Sequence, residues 1–191
     1  MKVVAINGSA RKEGNTTILV QKVFEELEKE GIATEQIHLA GKNVRGCIAC
    51  FKCFENLDRK CAVTNDFINE CIGKMDEADG IILASPTYFA TVSTELKAVM
   101  DRAGLVGKAN GNMFARMVGA AVVSVRRGGA VTAFDTINHF FFIEEMVVPG
   151  SSYWNFAVGL HPGDVEKDEE GMKTMEDLGK NMAWLLQKLH Q

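Results

Sequence analysis

Four cysteines stand at a spacing that suits metal or redox chemistry: Cys47-x-x-Cys50-x-x-Cys53, with Cys61 after a gap of seven residues. Thiolates at i, i+3 and i+6 can take three corners of a cubane, and a fourth from a short excursion closes the last, so the pattern suits a 4Fe-4S cluster. Zinc is an alternative, although closed zinc sites place two Cys-x-x-Cys knuckles further apart. Thiols that carry no metal, redox-active or free, are another. Ile48, Ala49, Phe51 and Phe54 between them would shield a cluster or anchor a metal-free loop equally well. The fifth cysteine, Cys71, falls on the inward stripe of a helical pattern and reads as a small buried hydrophobe. His38, His139, His161 and His190 share no ligand spacing.

A second chemical signal lies in Asn7 to Thr17, Asn-Gly-Ser-Ala-Arg-Lys-Glu-Gly-Asn-Thr-Thr. An apolar run, Val3 to Ile6, precedes it, and a helical stripe of Val20, Val23, Phe24 and Leu27 follows. A strand-loop-helix junction of this kind presents free amides and the positive end of a helix dipole, which stabilise an anion. Ser9, Asn15, Thr16 and Thr17 offer short donors, and Arg11 offers a planar charged fork. Neither the Gly-x-Gly-x-x-Gly of a dinucleotide loop nor the Gly-Lys-Ser/Thr of an ATP loop is present. The chemistry is that of a pocket for one terminal phosphate, as on FMN. A glycine-containing turn with a good N-cap is the simpler alternative.

The rest of the chain supplies the elements that position these groups. Thr34 to Leu39 alternates as an edge strand does, and residues 41–61 show no period. Asn65 or Asp66 caps a helix striped by Phe67, Ile68, Cys71, Ile72 and Met75. Ile81 to Ala84 is a continuous apolar run, which marks a central parallel strand covered on both faces, and Val118 to Val125 reads as the next buried strand. Each opens into a loop, Ser85-Pro86-Thr87-Tyr88-Phe89 and Arg126-Arg127-Gly128-Gly129. Ser93 or Thr94 caps a helix that Gly104 closes. The stretch Thr132 to Met146 predicts a helix more apolar than one buried face can use, so part of it meets either a larger core or another subunit. Met146 to Pro149 reads as the last strand, Ser151 to Val165 as irregular, and Glu169 to Leu189 as a final amphipathic helix.

Five strands alternating with helices predict a single α/β domain over residues 1–191, a three-layer, doubly wound parallel sheet. Its three carboxyl-edge loops (7–17, 85–91 and 124–129) converge where such sheets bind ligands. A net charge of −4 argues against nucleic acid or an anionic membrane as the main partner. With no signal-peptide pattern and no 18-residue apolar run, a cytoplasmic protein is expected, where clustered cysteines serve as thiolates rather than disulfides.

Three motifs together resemble the NAD(P)H-dependent FMN reductases of flavodoxin-like fold: Gly8-Ser9-x-Arg11 with Asn15-Thr16-Thr17, Ala78-Asp79-Gly80-Ile81-Ile82 leading to Ser85-Pro86-Thr87-Tyr88, and Glu95-Leu96-Lys97-Ala98-x-x-Asp101-Arg102. With the cysteine cluster, the chain most resembles the iron-sulfur flavoprotein branch. The resemblance implies strand order 2-1-3-4-5 and an FMN phosphate held by Ser9, Arg11, Asn15, Thr16 and Thr17. It implies a flavin ring lined by Pro86, Thr87, Tyr88 and Phe89, with Ser124, Arg126, Gly128 and Gly129 completing the pocket. Cys47, Cys50, Cys53 and Cys61 would hold the cluster. Implied partners are NAD(P)H or a ferredoxin-like donor, a flavin, quinone or other small acceptor, and further copies of the chain in a homodimer or homotetramer.

Overall fold

The computed structural model describes residues 1–191. Five strands, β1 (Lys2–Asn7), β2 (Ala33–His38), β3 (Gly80–Pro86), β4 (Val118–Val125) and β5 (Phe156–Val158), form one parallel sheet in the order β2-β1-β3-β4-β5. The six helices are α1 (Asn15–Lys29), α2 (Lys52–Asn56), α3 (Ile68–Asp76), α4 (Thr94–Ala109), α5 (Ala130–Ile143) and α6 (Glu169–Leu189). A 3₁₀ turn at Asp164–Lys167 precedes α6. This is the expected doubly wound architecture, and strand order reverses between β1 and β3.

The central strands are apolar on both faces because both are covered. Val4, Ile6, Ile81, Leu83, Ala121 and Val123 join a core beneath α3, α4 and α5. Their neighbours Val3, Ala5, Ile82, Ala84, Ala120 and Val122 join the opposite core beneath α1 and α6. The period-2 alternation of side chains sends successive residues into separate cores. Cys71 is fully buried, and burial pushes its thiol up to about 12, which fits an inert core position.

Two local expectations change. The last strand is Phe156–Val158, not Met146 to Pro149: Val147 makes only an isolated bridge to Val118, while Phe156 to Val158 pair with Val123 to Val125. Both stretches address the same edge of β4. Pro149, which lacks an N–H, and Gly150 stand between them, and the chain leaves the sheet at this point before returning. Gly104 does not close α4, which runs on to Ala109. A Cβ at Gly107 would lie 2.7 Å from Oε2 of Glu144 and 3.0 Å from the Phe114 ring. The glycines thus serve helix packing inside α4. The apolar α5 divides as its girth suggested, with Ile137, Phe140 and Phe141 buried and Phe142 and Ile143 exposed.

Candidate functional site

Three loops meet at the carboxyl edge of the sheet, each fixed by short backbone bonds. The amide of Gly8 donates to the Ala84 carbonyl at 2.8 Å, and that of Thr87 donates to the Ser124 carbonyl at 2.8 Å. Within the first loop Ser9 N donates to Asn7 Oδ1 at 2.9 Å, and Arg11 N donates to Ser9 Oγ at 3.1 Å. These turns deliver the chain to α1 with Gly14 as N-cap and no side chain capping it. The amides of Asn15 and Thr16 therefore find no acceptor in the chain. The capped-turn alternative is not what forms. Two free donors and the dipole of a 15-residue helix are left facing the cleft.

The cleft has a volume of about 180 Å³ and 13 lining residues, of which only three are apolar. Ser9, Arg11, Asn15, Thr16, Pro86, Thr87, Tyr88, Ser124 and Arg126 all reach it, as the motifs suggested. No carboxylate lines it, whereas two arginines do, so its field favours an anion. Thr16 and Ser124 face each other with their hydroxyl oxygens 2.8 Å apart, joining α1 to the end of β4. The hydroxyl of Thr87 is buried at the cleft with no partner in the chain, a donor and acceptor ready for a ligand.

Four of the expected residues lie elsewhere. Thr17 turns its hydroxyl inward, donating to the Lys12 carbonyl at 2.6 Å and accepting from Asn7 Nδ2 at 3.0 Å. Phe89 stands fully exposed beyond the cleft, at the tip of a tight turn closed by reciprocal bonds between Tyr88 and Thr91 of 2.9 and 3.1 Å. Phe89 and Ala90 both adopt φ near +50°, at 45° and 63°, a geometry that costs non-glycine residues on the order of 1–2 kcal/mol each. The Thr87 amide is taken by the Ser124 carbonyl and that of Tyr88 by the turn itself, which leaves the amides of Phe89 and Ala90 free. Gly128 is exposed, and a Cβ there would meet only open space. Gly129, with φ +88°, packs the third loop against Ala90 and Thr87 rather than lining the cleft.

Sequence reasoning missed Val125, Gly159 and Leu160, which complete the cleft. Val125 ends β4, whereas Gly159 and Leu160 belong to a fourth carboxyl-edge loop, following β5. Gly163 N donates to Asn15 Oδ1 at 2.9 Å, and Arg11 Nη1 donates to the Leu160 carbonyl at 3.4 Å, so this loop straps the start of α1. A Cβ on Gly159 would lie 2.8 Å from Asn15 Nδ2, which is why the strap can lie so close. The available signal was Phe156-Ala157-Val158 ending in Gly159, an apolar run breaking at a glycine.

The cysteine segment forms a separate site. Cys47, Cys50, Cys53 and Cys61 all border one small apolar hollow against α4, with Ile48, Phe51, Val63, Leu105 and Val106. Cys47 and Cys50 are exposed, Cys61 is half-buried and Cys53 is buried, its thiol pushed up by that burial. No three of the cysteines, or other His, Asp or Glu side chains, already stand in metal-holding geometry. The donor set is nevertheless complete in number and kind for a thiolate-bound metal, and the hollow is apolar. Ala49, Phe51, Leu57 and Arg59 all take positive φ, so the segment is held in an unfavourable backbone by its surroundings.

The sequence pattern that defines NADPH-dependent FMN reductases matches residues 1–160. An iron-sulfur flavoprotein of Methanocaldococcus jannaschii is 43% identical over 190 residues, 96% of each chain. Among solved structures, RosB with a bound formylated riboflavin phosphate superposes with a TM-score of 0.75 at 17% identity, covering all of this chain and 80% of that one. An archaeal flavodoxin superposes with a TM-score of 0.63 at 16% identity, covering 98% and 99%. At such identities the two structures speak for the fold alone.

Proposed function

Because the chain belongs to the NADPH-dependent FMN reductase family, and within it to the iron-sulfur flavoprotein branch, we propose that it is an FMN-dependent oxidoreductase whose cysteine segment carries a 4Fe-4S cluster. The observation that carries the flavin reading is the uncapped start of α1, opening into a carboxylate-free cleft. The Asn15 and Thr16 amides, the Ser9 and Thr16 hydroxyls and the Arg11 guanidinium would hold the phosphate there. At about 180 Å³ the cleft is smaller than sites that enclose a whole cofactor, roughly 300–1,000 Å³, so a flavin ring would extend past Tyr88 toward the rim. The orphan Thr87 hydroxyl and the free amides of Phe89 and Ala90 stand on that side.

What FMN supplies when bound is the redox chemistry itself, taking a hydride or electrons from a nicotinamide or ferredoxin-like donor and passing them to a flavin, quinone or other small acceptor. The chain's own work is to bind, orient and tune. Arg126 places positive charge beside the ring's expected position, and Pro86 fixes the exit of β3. Cys47, Cys50, Cys53 and Cys61 would hold a cluster able to exchange single electrons with a partner. The exposed Tyr88, Phe89, Phe142 and Ile143 support association with further copies of the chain, as dimer or tetramer.

An anaerobic visible spectrum with iron and acid-labile sulfide analysis, followed by stopped-flow mixing with NADH or NADPH, tests the reading. Flavin bands, about four irons per chain and rapid bleaching by a nicotinamide are the expected results. Flavin with no iron, or with zinc, overturns the cluster. Flavin that no nicotinamide reduces points to a ferredoxin-dependent protein or a flavodoxin-type carrier. Failure to take up FMN overturns the whole reading.

A further inference from the structure

The most connected side chain around the cysteines is none of them. Arg102, on the inner face of α4, is 99% buried. Its Nε donates to Sγ of Cys61 at 3.2 Å, and its Nη2 donates to the Val63 carbonyl at 2.8 Å. Its Nη1 donates to the Arg45 carbonyl at 3.1 Å and to the Asp66 carboxylate. These acceptors lie on both sides of the cysteines in sequence, so a single guanidinium ties both ends of the segment to the scaffold. Cys61 is fixed a second time through its backbone, its N–H donating to Asn69 Oδ1 and its carbonyl accepting from Asn69 Nδ2, both at 2.8 Å. No other side chain donates to any of the five sulfurs. Cys47 Sγ accepts only the amide of Ala49, at 3.4 Å, and Cys50 Sγ has no donor.

We propose that Arg102 is a positioning residue for the cysteine site: it presents the Cys61 sulfur as the pre-set ligand onto which Cys47 and Cys50 close, and its hydrogen bond to that sulfur tunes the cluster held there. The proposal rests on the cluster reading above. A buried ion pair adds little stability over apolar side chains of equal volume, so the use of this guanidinium lies in where its fork points. Only an arginine can reach four acceptors at once from one helix position, because its five N–H groups are fixed in a plane. A donor to a ligating sulfur withdraws charge from the cluster and favours its reduced, more negative state, which raises the reduction potential. Partners that orient a ligand in this way change metal affinity by about 10- to 100-fold when removed.

The test compares the parent with Arg102→Lys and with the double variant Arg102→Met/Asp66→Asn. The double variant removes cation and carboxylate together, so no unpaired charge is left buried, and an asparagine can still accept from the Ile68 amide as Asp66 does at 3.2 Å. Each protein is reconstituted anaerobically with ferrous iron and sulfide. The readouts are iron per chain, the rate of iron loss to a chelator, the cluster midpoint potential by EPR-monitored titration, and FMN affinity. Both variants are expected to lose iron about 10- to 100-fold faster, to hold any remaining cluster at a lower potential, and to bind FMN as the parent does. Should the single variant fail to fold, the double variant decides. A parent with about four irons and a folded variant with unchanged iron retention and potential overturn the role of Arg102 while leaving the cluster reading intact. A parent that takes up no iron overturns the cluster reading, and the role falls with it. A double variant that loses FMN as well places Arg102 in the support of the fold instead, which also overturns the proposal.

Discussion

Removing the Arg11 side chain separates a phosphate site from a generic polar cleft. Arg11 is exposed and its guanidinium makes one long contact, 3.4 Å to the Leu160 carbonyl. Its loss therefore costs the fold less than about 0.5 kcal/mol, the range for surface positions free of special contacts. A charge-assisted contact with a phosphate is worth about 1.5–3 kcal/mol, or roughly 10- to 150-fold in Kd. Riboflavin has the same ring and ribityl chain without the phosphate, so it serves as the internal control. In fluorescence-quenching titrations Arg11→Ala should weaken FMN by about 10- to 150-fold and leave riboflavin unchanged. The FMN deficit should shrink in high salt, since the group is exposed and screening is strong there. Equal weakening of both ligands would mean that Arg11 supports the ring or the Leu160 strap and not the phosphate. No change in either would move the phosphate away from α1 altogether.

Other residues give independent checks. Glu144 is buried against α4 with Oε2 unpartnered, and burial, only partly offset by Lys108, raises its carboxyl to about 7. A carboxyl raised in the folded state binds its proton more tightly than in the unfolded chain, so stability is full below about 4.5, falls as pH rises toward 7, and is flat above. The loss amounts to about 3 kcal/mol across that window; Glu144→Gln should flatten the profile and be the more stable protein at pH 8, and a parent with no such slope in denaturant melts contradicts the assignment. Ser93→Ala removes the Oγ that accepts from Leu96 N at 3.3 Å and caps α4, which should cost about 1 kcal/mol in urea unfolding; an unchanged midpoint argues that the cap is idle. Cys50→Ala should abolish iron retention and leave FMN affinity intact, because Cys50 borders the hollow and not the cleft. Parallel loss of both cofactors would show that the two sites are one structural unit.

The amino-acid sequence by itself determined four of the five strands, the three principal loops and most of the residues that line the cleft. These features are local: Ile81 to Ala84 is apolar throughout and Val118 to Val125 is broken only by Gly119 and Ser124, because both strands are covered on both faces, and each ends in turn-forming residues at the ligand edge. Hydroxyls, an arginine and glycines packed between a strand and a helix say what charge that edge accepts before any coordinates are known. What only the tertiary structure decided depends on residues distant in sequence competing for the same surface. Two segments address the edge of β4, and Pro149 and Gly150 give its upper half to Phe156–Val158, which in turn lays Gly159 and Leu160 over the start of α1. Thr17 sits beside two cleft residues in sequence, yet the Lys12 carbonyl claims its hydroxyl. Arg102 meets Cys61 across 41 positions because α4 packs beneath the cysteine segment. Periodicity carries which face of an element is buried; it does not carry which neighbour a buried donor will find there.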